Sequence, residues 1–448
     1  MRKLRSFLLA MLCMALAVMC FTSCGEKKPA GSNGEVDPEN DFGGRTFVYA
    51  SWFEQAPERG SSPDADLTWE KIERLEKKYN CKFEYKVFPM EQYNDLFISS
   101  TLSGAPFADF ITTHVMWFYP GLVAKNYLLD LESVGVFDFT AEKWNQEAIK
   151  QGTYKGKVYG MGKDNFGPQQ GLFWNKTLFA RDGLPDLYEL QDSKQWTWEK
   201  FREIAIKATR ATANDGHINQ WGLDGGSDSF VASNGGYVVN IGDDGTPSFG
   251  LGTPNAIEAL QFFQDLKTKD KVFYTPPEGA EWDAGLKNFA NGGTAMYLGN
   301  YWNKYMLEES MNDEFGYVYF PMGPKATEYT TTLSGFNLIT MSSAIKNPKE
   351  AALFWNGFTE PNEGKPIDDY ETYYEENSLD RGTAKTIIDM IKYKRYTLNM
   401  AESFPDLMTQ LGTMYGKISN GEMTAQSAVD TMKPVAESIL KDATKDIK

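Results

Sequence analysis

Residues 45–50 (RTFVYA) and 81–87 (CKFEYKV) decide the fold class. The first segment is a short apolar run, typical of a buried strand. In the second, apolar and charged residues alternate with the period of two that marks a strand. Between them, Asp66 is a candidate N-cap for a helix that runs to about Tyr79 with apolar residues at helical spacing. Strand, helix and strand in this order predict a βαβ unit, a parallel sheet and an α/β fold.

The composition narrows the functional class. The chain has 448 residues, enough for two or three domains, and 42% hydrophobic with 24% charged residues indicates a globular protein. Its 61 acidic and 45 basic residues give a net charge of -16, which argues against nucleic acid as a partner. The only histidines are His114 and His217, too few for a His-rich metal site. We therefore expect no metal and no cofactor.

Motifs for catalysis are missing from the sequence. It contains no Walker loop, no GxGxxG after a predicted strand, and neither GxSxG nor HExxH. The DGGSDS segment at 224–229 lacks EF-hand spacing, so a turn or binding loop is favoured there over a calcium site. We expect no catalytic residue, although 61 acidic residues leave a carboxylate pair for glycoside hydrolysis open.

The N-terminus predicts export. Basic residues precede an apolar run at 7–21 that is short for a membrane span, and Phe-Thr-Ser then leads to Cys24. This pattern predicts a lipoprotein signal peptide over residues 1–23 and lipidation of Cys24, with an ordinary signal peptide cut nearby as the alternative. Residues 24–43 read as a flexible tether, rich in Gly, Pro, Ser and charge. The expected location is the outer face of the bacterial cytoplasmic membrane.

Four further segments carry a family resemblance. They are KGKVYGMGKDNFGPQQGLFWNKTLFARDGL at 155–184, QWTWEKFREIAI at 195–206, FANGGTAMYLGNYW at 289–302, and a strand, P-x-G-P loop and N-P-x-x-A-x-x-F helix within 316–358. In this order, and together with the lipobox, they resemble the family 1 extracellular solute-binding proteins of bacterial ABC importers, the group typified by maltose-binding protein. The resemblance covers most of residues 45–435.

The resemblance implies a two-lobe, type II periplasmic-binding-protein-like fold that closes around a ligand by a hinge motion. The implied lobes are 44–153 plus 315–360 and 154–314 plus 361–448. It also implies a lipid-anchored monomer that binds a mono- or oligosaccharide and delivers it to an ABC permease in the membrane.

Candidate ligand contacts are aromatic faces for sugar rings and planar polar groups for hydroxyls, carried over from the family pattern. They are Trp52, Glu54, His114, Trp117, Asp164, Phe166, Gln169, Ser227, Asp228, Asn300, Tyr301, Trp302 and, more weakly, Phe404. Structural roles stay open for several of them. Trp52 and Trp302 sit at apparent strand ends, His114 also fits a structural histidine, and Asp164 and Asp228 also fit turn caps.

Three other functions stay open. The negative charge leaves a polyamine or other cation as the ligand of the same fold. A secreted carbohydrate-active enzyme would need two carboxylates in one cleft. A solute-sensing module for a signalling receptor would use the same binding chemistry without transport.

Overall fold

The computed structural model describes residues 39–162, 170–212, 217–226, 228–242, 244–333, 335–362 and 370–445. Its strands are β1 (Arg45–Ser51), β2 (Cys81–Val87), β3 (Phe110–His114), β4 (Thr153–Tyr154), β5 (Lys157–Val158), β6 (Gly160–Met161), β7 (Gln170–Asn175), β8 (Trp221–Asp224), β9 (Val239–Ile241), β10 (Pro247–Phe249), β11 (Thr294–Asn300), β12 (Phe315–Val318), β13 (Thr331–Leu333), β14 (Asn337–Thr340) and β15 (Tyr396–Leu398).

The α-helices of the described residues surround these strands. They are α1 (Pro63–Tyr79), α2 (Met90–Leu102), α3 (Val115–Trp117), α4 (Gln146–Gln151), α5 (Lys176–Asp182), α6 (Leu187–Asp192), α7 (Trp198–Ala208), α8 (Asp228–Ser233), α9 (Pro254–Thr268), α10 (Ala284–Ala290), α11 (Asn303–Ser310), α12 (Pro348–Phe358), α13 (Tyr370–Asn377), α14 (Arg381–Lys392), α15 (Pro405–Ser419) and α16 (Ala425–Thr444).

The predicted βαβ unit is present. β1 runs parallel to β2, and the two pair from Arg45 with Cys81 to Ser51 with Val87. The cap of the connecting helix α1 lies four residues before the predicted one. Ser62 caps it by accepting the Ala65 N–H, and Pro63 occupies its first turn. Asp66 therefore lies inside the first turn, where its charge still suits the helix dipole.

Two sheets form the core of two lobes. Sheet I has the order β2-β1-β3-β14-β6, and sheet II has the order β12-β7-β11-β8. Lobe I is sheet I with its packed helices, and its core includes Phe47, Phe110 and Phe354. Lobe II is sheet II with its helices, and its buried core includes Phe173 and Phe230. This arrangement confirms the predicted α/β class with two lobes.

The chain passes between the lobes at matching sheet edges. It leaves β6 of sheet I for β7 of sheet II, and it later returns from β12 of sheet II, through β13, to β14 of sheet I. The start of β7 pairs with the end of β11, where Gln170 is opposite Asn300. The start of β14 pairs with the end of β3, where Asn337 is opposite His114. These edges, which we call the interlobe edges, therefore carry the loops that face the junction of the two lobes.

The strand pairing differs from the expected lobe limits at two places. β6 was expected in lobe two but joins sheet I, where Met161 pairs with Ile339. β12 was expected in lobe one but joins sheet II, where Phe315 pairs with Asn175. β6 therefore belongs to lobe I and β12 to lobe II, since each strand is hydrogen-bonded into the sheet of that lobe.

The predicted signal peptide and the lipidation site Cys24 lie outside the described residues. Within the described ranges, no helix combines the length and the apolar character that a membrane span needs. Cys81 is a free thiol and only 4% exposed. Burial raises the pKa of this thiol to about 12, so it is protonated at neutral pH and packs as a small apolar side chain.

Candidate functional site

The interlobe edge of sheet I brings three predicted residues together. Trp52 follows β1, and His114 ends β3 and leads into α3, which contains Trp117. The ring centroids of Trp52 and Trp117 are 5.0 Å apart, and that of His114 is 6.2 Å from Trp52 and 6.0 Å from Trp117. Tyr93 of α2 stacks on Trp117 at 5.8 Å. We call these four side chains the aromatic cluster.

His114 is held in one protonation state. Its Nδ1 accepts the backbone N–H of Met116 at 3.2 Å, which caps α3. Burial lowers the pKa of His114 to about 4, so the ring is neutral at pH 7. Since Nδ1 accepts a hydrogen bond, the proton of the neutral ring lies on Nε2. Nε2 is close to Gly335, and a Cβ atom added to that glycine would lie only 3.1 Å from it. His114 thus offers a neutral N–H donor.

Glu54 has a local role. Its side chain is exposed, and its Oε1 accepts the backbone N–H groups of Gln55 and Ala56 at 3.1 and 2.9 Å. This carboxylate closes its own turn after β1. The described contacts do not place it against the aromatic cluster.

A cavity of about 540 Å³ lies between α2, α3, the chain before α15 and the end of α16. It is lined by Trp117 from lobe I and by Phe404 from lobe II, two predicted residues from distant parts of the chain. Phe404 is 2% exposed and packs against Tyr119 with centroids 6.4 Å apart. We call this space the interlobe cavity.

Two polar side chains of the interlobe cavity were missed by the sequence analysis. Asn94 on α2 and Ser403 before α15 both line it. Asn94 Oδ1 and Ser403 Oγ are buried atoms without a hydrogen-bond partner. A buried polar atom without a partner costs roughly 1–3 kcal/mol, so a side-chain rotation that brings either atom to a ligand in the cavity would be favoured. Apolar walls with a few polar groups are typical of a small-molecule site.

Asp228 is engaged inside lobe II. It begins α8, and its two oxygens accept hydrogen bonds at 2.9 Å from Asn399 Nδ2 and from the Tyr415 hydroxyl. Glu402 lies nearby, and burial, followed by the Asp228 charge, raises the pKa of its carboxyl. Asp228 therefore ties α8 to the chain before α15, close to Ser403.

The three predicted residues at the end of β11 differ in their exposure to solvent. Asn300 ends the strand, opposite Gln170. Tyr301 is 5% exposed and packs against Tyr317 at 5.1 Å, and burial raises its pKa to about 12. Tyr301 therefore packs in the core of lobe II. Trp302 is 51% exposed.

Trp302 has an aromatic neighbour that the sequence analysis missed. Trp282, which precedes α10, is 76% exposed, and its ring centroid is 6.3 Å from that of Trp302. Both rings stand at the lobe II side of the interlobe edge. Sequence alone gave little signal for Trp282, since a loop residue acquires its position from the packing of α10 and α11.

Four predicted residues are not placed. Asp164, Phe166, Gln169 and Ser227 lie outside the described residues. In the part of the chain that is described, no group of three or more His, Cys, Asp or Glu side chains is arranged to hold a metal ion.

Comparison with known proteins identifies a matching family and similar solved structures. The family model described as "Bacterial extracellular solute-binding protein" matches residues 60–361. A search of curated protein sequences finds no match. An ABC substrate-binding protein from Listeria monocytogenes, solved in complex with cycloalternan, is 20% identical with a TM-score of 0.60, covering 90% of this chain and 98% of that one.

Two further solved structures are similar at low identity. The cyclic alpha-maltosyl-1,6-maltose binding protein of Arthrobacter globiformis is 18% identical with a TM-score of 0.66, covering 89% of this chain and 100% of that one. UgpB of Mycobacterium tuberculosis, in complex with glycerophosphocholine, is 16% identical with a TM-score of 0.63, covering 89% and 99%. At these identities the likeness establishes a shared fold.

The family model spans more than half of the 448 residues. The chain belongs to the bacterial extracellular solute-binding proteins, a family of binding proteins that work outside the cytoplasm.

Proposed function

We propose that the chain is the receptor of a bacterial ABC importer and that it binds a saccharide between its lobes. The observation that carries the proposal is the interlobe cavity of about 540 Å³. It is lined by Trp117 and Phe404 and by Asn94 and Ser403, whose side chains each carry a buried polar atom without a hydrogen-bond partner. A sugar presents an apolar ring face and hydroxyl edges, so it fits both kinds of surface.

The chemistry of the cavity favours an uncharged ligand. Its unpartnered atoms belong to a neutral amide and a neutral hydroxyl, which suit ligand hydroxyls. The charged residues that line it are of both signs, namely Lys125, Asp406 and Asp442. A polyamine would favour carboxylates without a competing lysine, so we place the cation hypothesis second.

The solved neighbours support this choice without deciding it. The Listeria protein was solved with cycloalternan, and the Arthrobacter protein is named for cyclic alpha-maltosyl-1,6-maltose. UgpB was solved with glycerophosphocholine. One scaffold thus accepts different solutes, and the side chains of the cavity have to select among them.

We further infer that the receptor binds without catalysis, acts as a monomer and is held at the membrane by a lipid on Cys24. Glycoside hydrolysis calls for two carboxylates that flank the bond, and the two that line the cavity, Asp406 and Asp442, are both exposed to solvent. A lipid anchor would keep the receptor on the outer face of the cytoplasmic membrane, within reach of its permease.

A thermal-shift screen of the purified protein tests the proposal. The panel holds neutral mono- and oligosaccharides, polyamines and glycerophosphodiesters. A ligand at a thousand times its Kd stabilises by about 4.1 kcal/mol, which raises the Tm by several degrees. We expect the shift with one saccharide family, its loss in Trp117→Ala, and its retention in Tyr393→Ala, a variant at a tyrosine that is 58% exposed.

Three results would overturn the proposal. A shift with polyamines alone would assign a cation receptor, and a shift with glycerophosphodiesters alone would assign a different solute. Release of shorter sugars from an oligosaccharide would assign an enzyme, and chromatography of the incubated panel detects it.

A further inference from the structure

Four exposed aromatic side chains form a continuous surface on lobe II. Trp282, Trp302, Tyr305 and Tyr373 are 76%, 51%, 56% and 51% exposed. Trp282 lies against Trp302, and Trp302 and Tyr305 are three residues apart at the start of α11, so they share a face. The hydroxyl of Tyr305 interacts with that of Tyr373 on α13. We call these four residues the aromatic strip.

The aromatic strip rests on a rigid base. Lys304 beneath it is 7% exposed, and its Nζ donates to the carbonyl of Asn377 at 2.7 Å, which joins α11 to the end of α13. The same Nζ lies 5.0 Å from the ring centroid of Tyr305 and 5.5 Å from that of Tyr301. A cation under the rings and a buried tie between the helices hold the exposed rings in place, so little entropy is lost when a ligand binds.

The aromatic strip begins at the interlobe edge of sheet II. Trp302 follows Asn300, which pairs with Gln170 at the interlobe edge of sheet II. From Trp302 the rings continue onto the outer face of α11 and α13. Asp228 follows the end of the neighbouring strand β8 on the same edge, and it accepts a hydrogen bond from Asn399, four residues before Ser403 of the interlobe cavity. A ligand that leaves the junction of the lobes on this side meets the strip.

The surroundings of the strip are acidic. Exposed glutamates flank it on both helices and before α10, namely Glu281, Glu308, Glu309, Glu371, Glu375 and Glu376. Such a surface repels nucleic acid, anionic lipid and anionic glycans. Its apolar residues are all Trp and Tyr, which combine a flat apolar face with a polar edge. A neutral polyhydroxylated chain matches this combination.

We propose that the aromatic strip is a second saccharide-binding surface, which holds the part of a neutral oligosaccharide that extends beyond the space between the lobes. This inference rests on the proposed function, and it deepens it by assigning a preference for chains of several units over a monosaccharide. Each ring that stacks on a sugar unit adds to affinity in the way that other aromatic contacts do.

Calorimetry with linear malto-, cello-, xylo- and manno-oligosaccharides of one to six units tests the inference. In the unmodified protein we expect affinity for the bound sugar type to rise with length by about tenfold or more. The double variant Tyr305→Ala and Tyr373→Ala removes the outer half of the strip. It should bind the shortest ligand unchanged and lose the gain for the longest.

Tyr393→Ala serves as the matched control, because Tyr393 is an exposed tyrosine outside the strip. Equal affinity for short and long chains in the unmodified protein would overturn the inference while leaving the proposed function intact. An equal loss for short and long chains in the double variant would overturn it as well. Absence of binding to any of the four series would count against the proposed function itself, and the strip would fall with it.

Discussion

The aromatic cluster of lobe I and the aromatic strip of lobe II use the same residue types in opposite ways. In the cluster, the rings of Trp52, Tyr93 and Trp117 pack on one another, and the Tyr93 hydroxyl donates to the carbonyl of Ala50 at 2.7 Å. In the strip, Trp282 and Trp302 leave most or half of their surface to solvent. The cluster therefore shapes one wall of the site, whereas the strip offers open faces to a ligand.

This difference separates stability from binding. A ring packed on other rings contributes to the free energy of unfolding, and its truncation leaves a cavity. An exposed ring contributes little to the free energy of unfolding, so its removal should affect the binding of a ligand and not the stability of the fold. Replacing one ring from each region tests the comparison directly.

The largest effect is expected for Trp117→Ala. We expect a loss of about 3 kcal/mol in the free energy of unfolding, at the lower end for a truncated large aromatic because Trp117 is only half-buried. Saccharide affinity should fall by about a hundredfold, since Trp117 also lines the interlobe cavity. Urea unfolding and calorimetry measure the two quantities.

Trp302→Ala is the counterpart from the strip. Its free energy of unfolding should stay within about 0.5 kcal/mol of the unmodified protein, while affinity for an oligosaccharide falls by about tenfold. Similar losses of stability in the two variants would break the distinction between cluster and strip.

A smaller effect on affinity is expected for Ser403→Ala. Ser403 Oγ has no partner in the structure, so its removal breaks no internal hydrogen bond and should leave stability unchanged or slightly raised. Affinity should fall by about tenfold if Oγ bonds a ligand hydroxyl.

Ser229→Ala is the matched control, because Ser229 Oγ is also buried but donates to Gln170 Oε1 at 2.8 Å. That variant should lose about 1 kcal/mol of stability. A loss of stability in Ser403→Ala would show that Oγ serves folding.

The sequence predicted those features that depend on local pattern. Alternation and helical spacing were enough for β1, α1 and β2, since each element is fixed by its own residues. The cap of α1 was misplaced by four positions, because Asp66 and Ser62 are both good capping residues and the Pro63 signal at the first turn was overlooked.

Features that depend on packing were harder to predict. Trp302 and Tyr301 are adjacent and both aromatic, and only the fold decides that one is exposed and the other buried. Asn94 and Ser403 meet at one cavity although they belong to opposite ends of the chain and to different lobes. Their lack of partners is a property of the folded molecule, so no spacing within the sequence could have indicated it.

The smallest expected effect is a pH dependence that belongs to the aromatic cluster. Burial lowers the pKa of His114 to about 4 in the folded protein, whereas an unfolded histidine titrates near 6.5. Between these values the unfolded chain binds the extra proton, so stability falls as the pH is lowered from about 6.5 to about 4.

His114→Asn isolates this contribution, since Asn can still accept the Met116 N–H and cap α3 but does not titrate. Thermal melts of both proteins from pH 4 to 7 should differ in slope, with the variant losing less stability on acidification. The raised pKa of Glu402 acts in the opposite direction, because its carboxyl favours the protonated form in the folded protein, and it is common to both proteins. Parallel curves would mean that water reaches His114 in solution. The aromatic cluster would then be less tightly packed than the contact between Trp52 and Trp117 indicates.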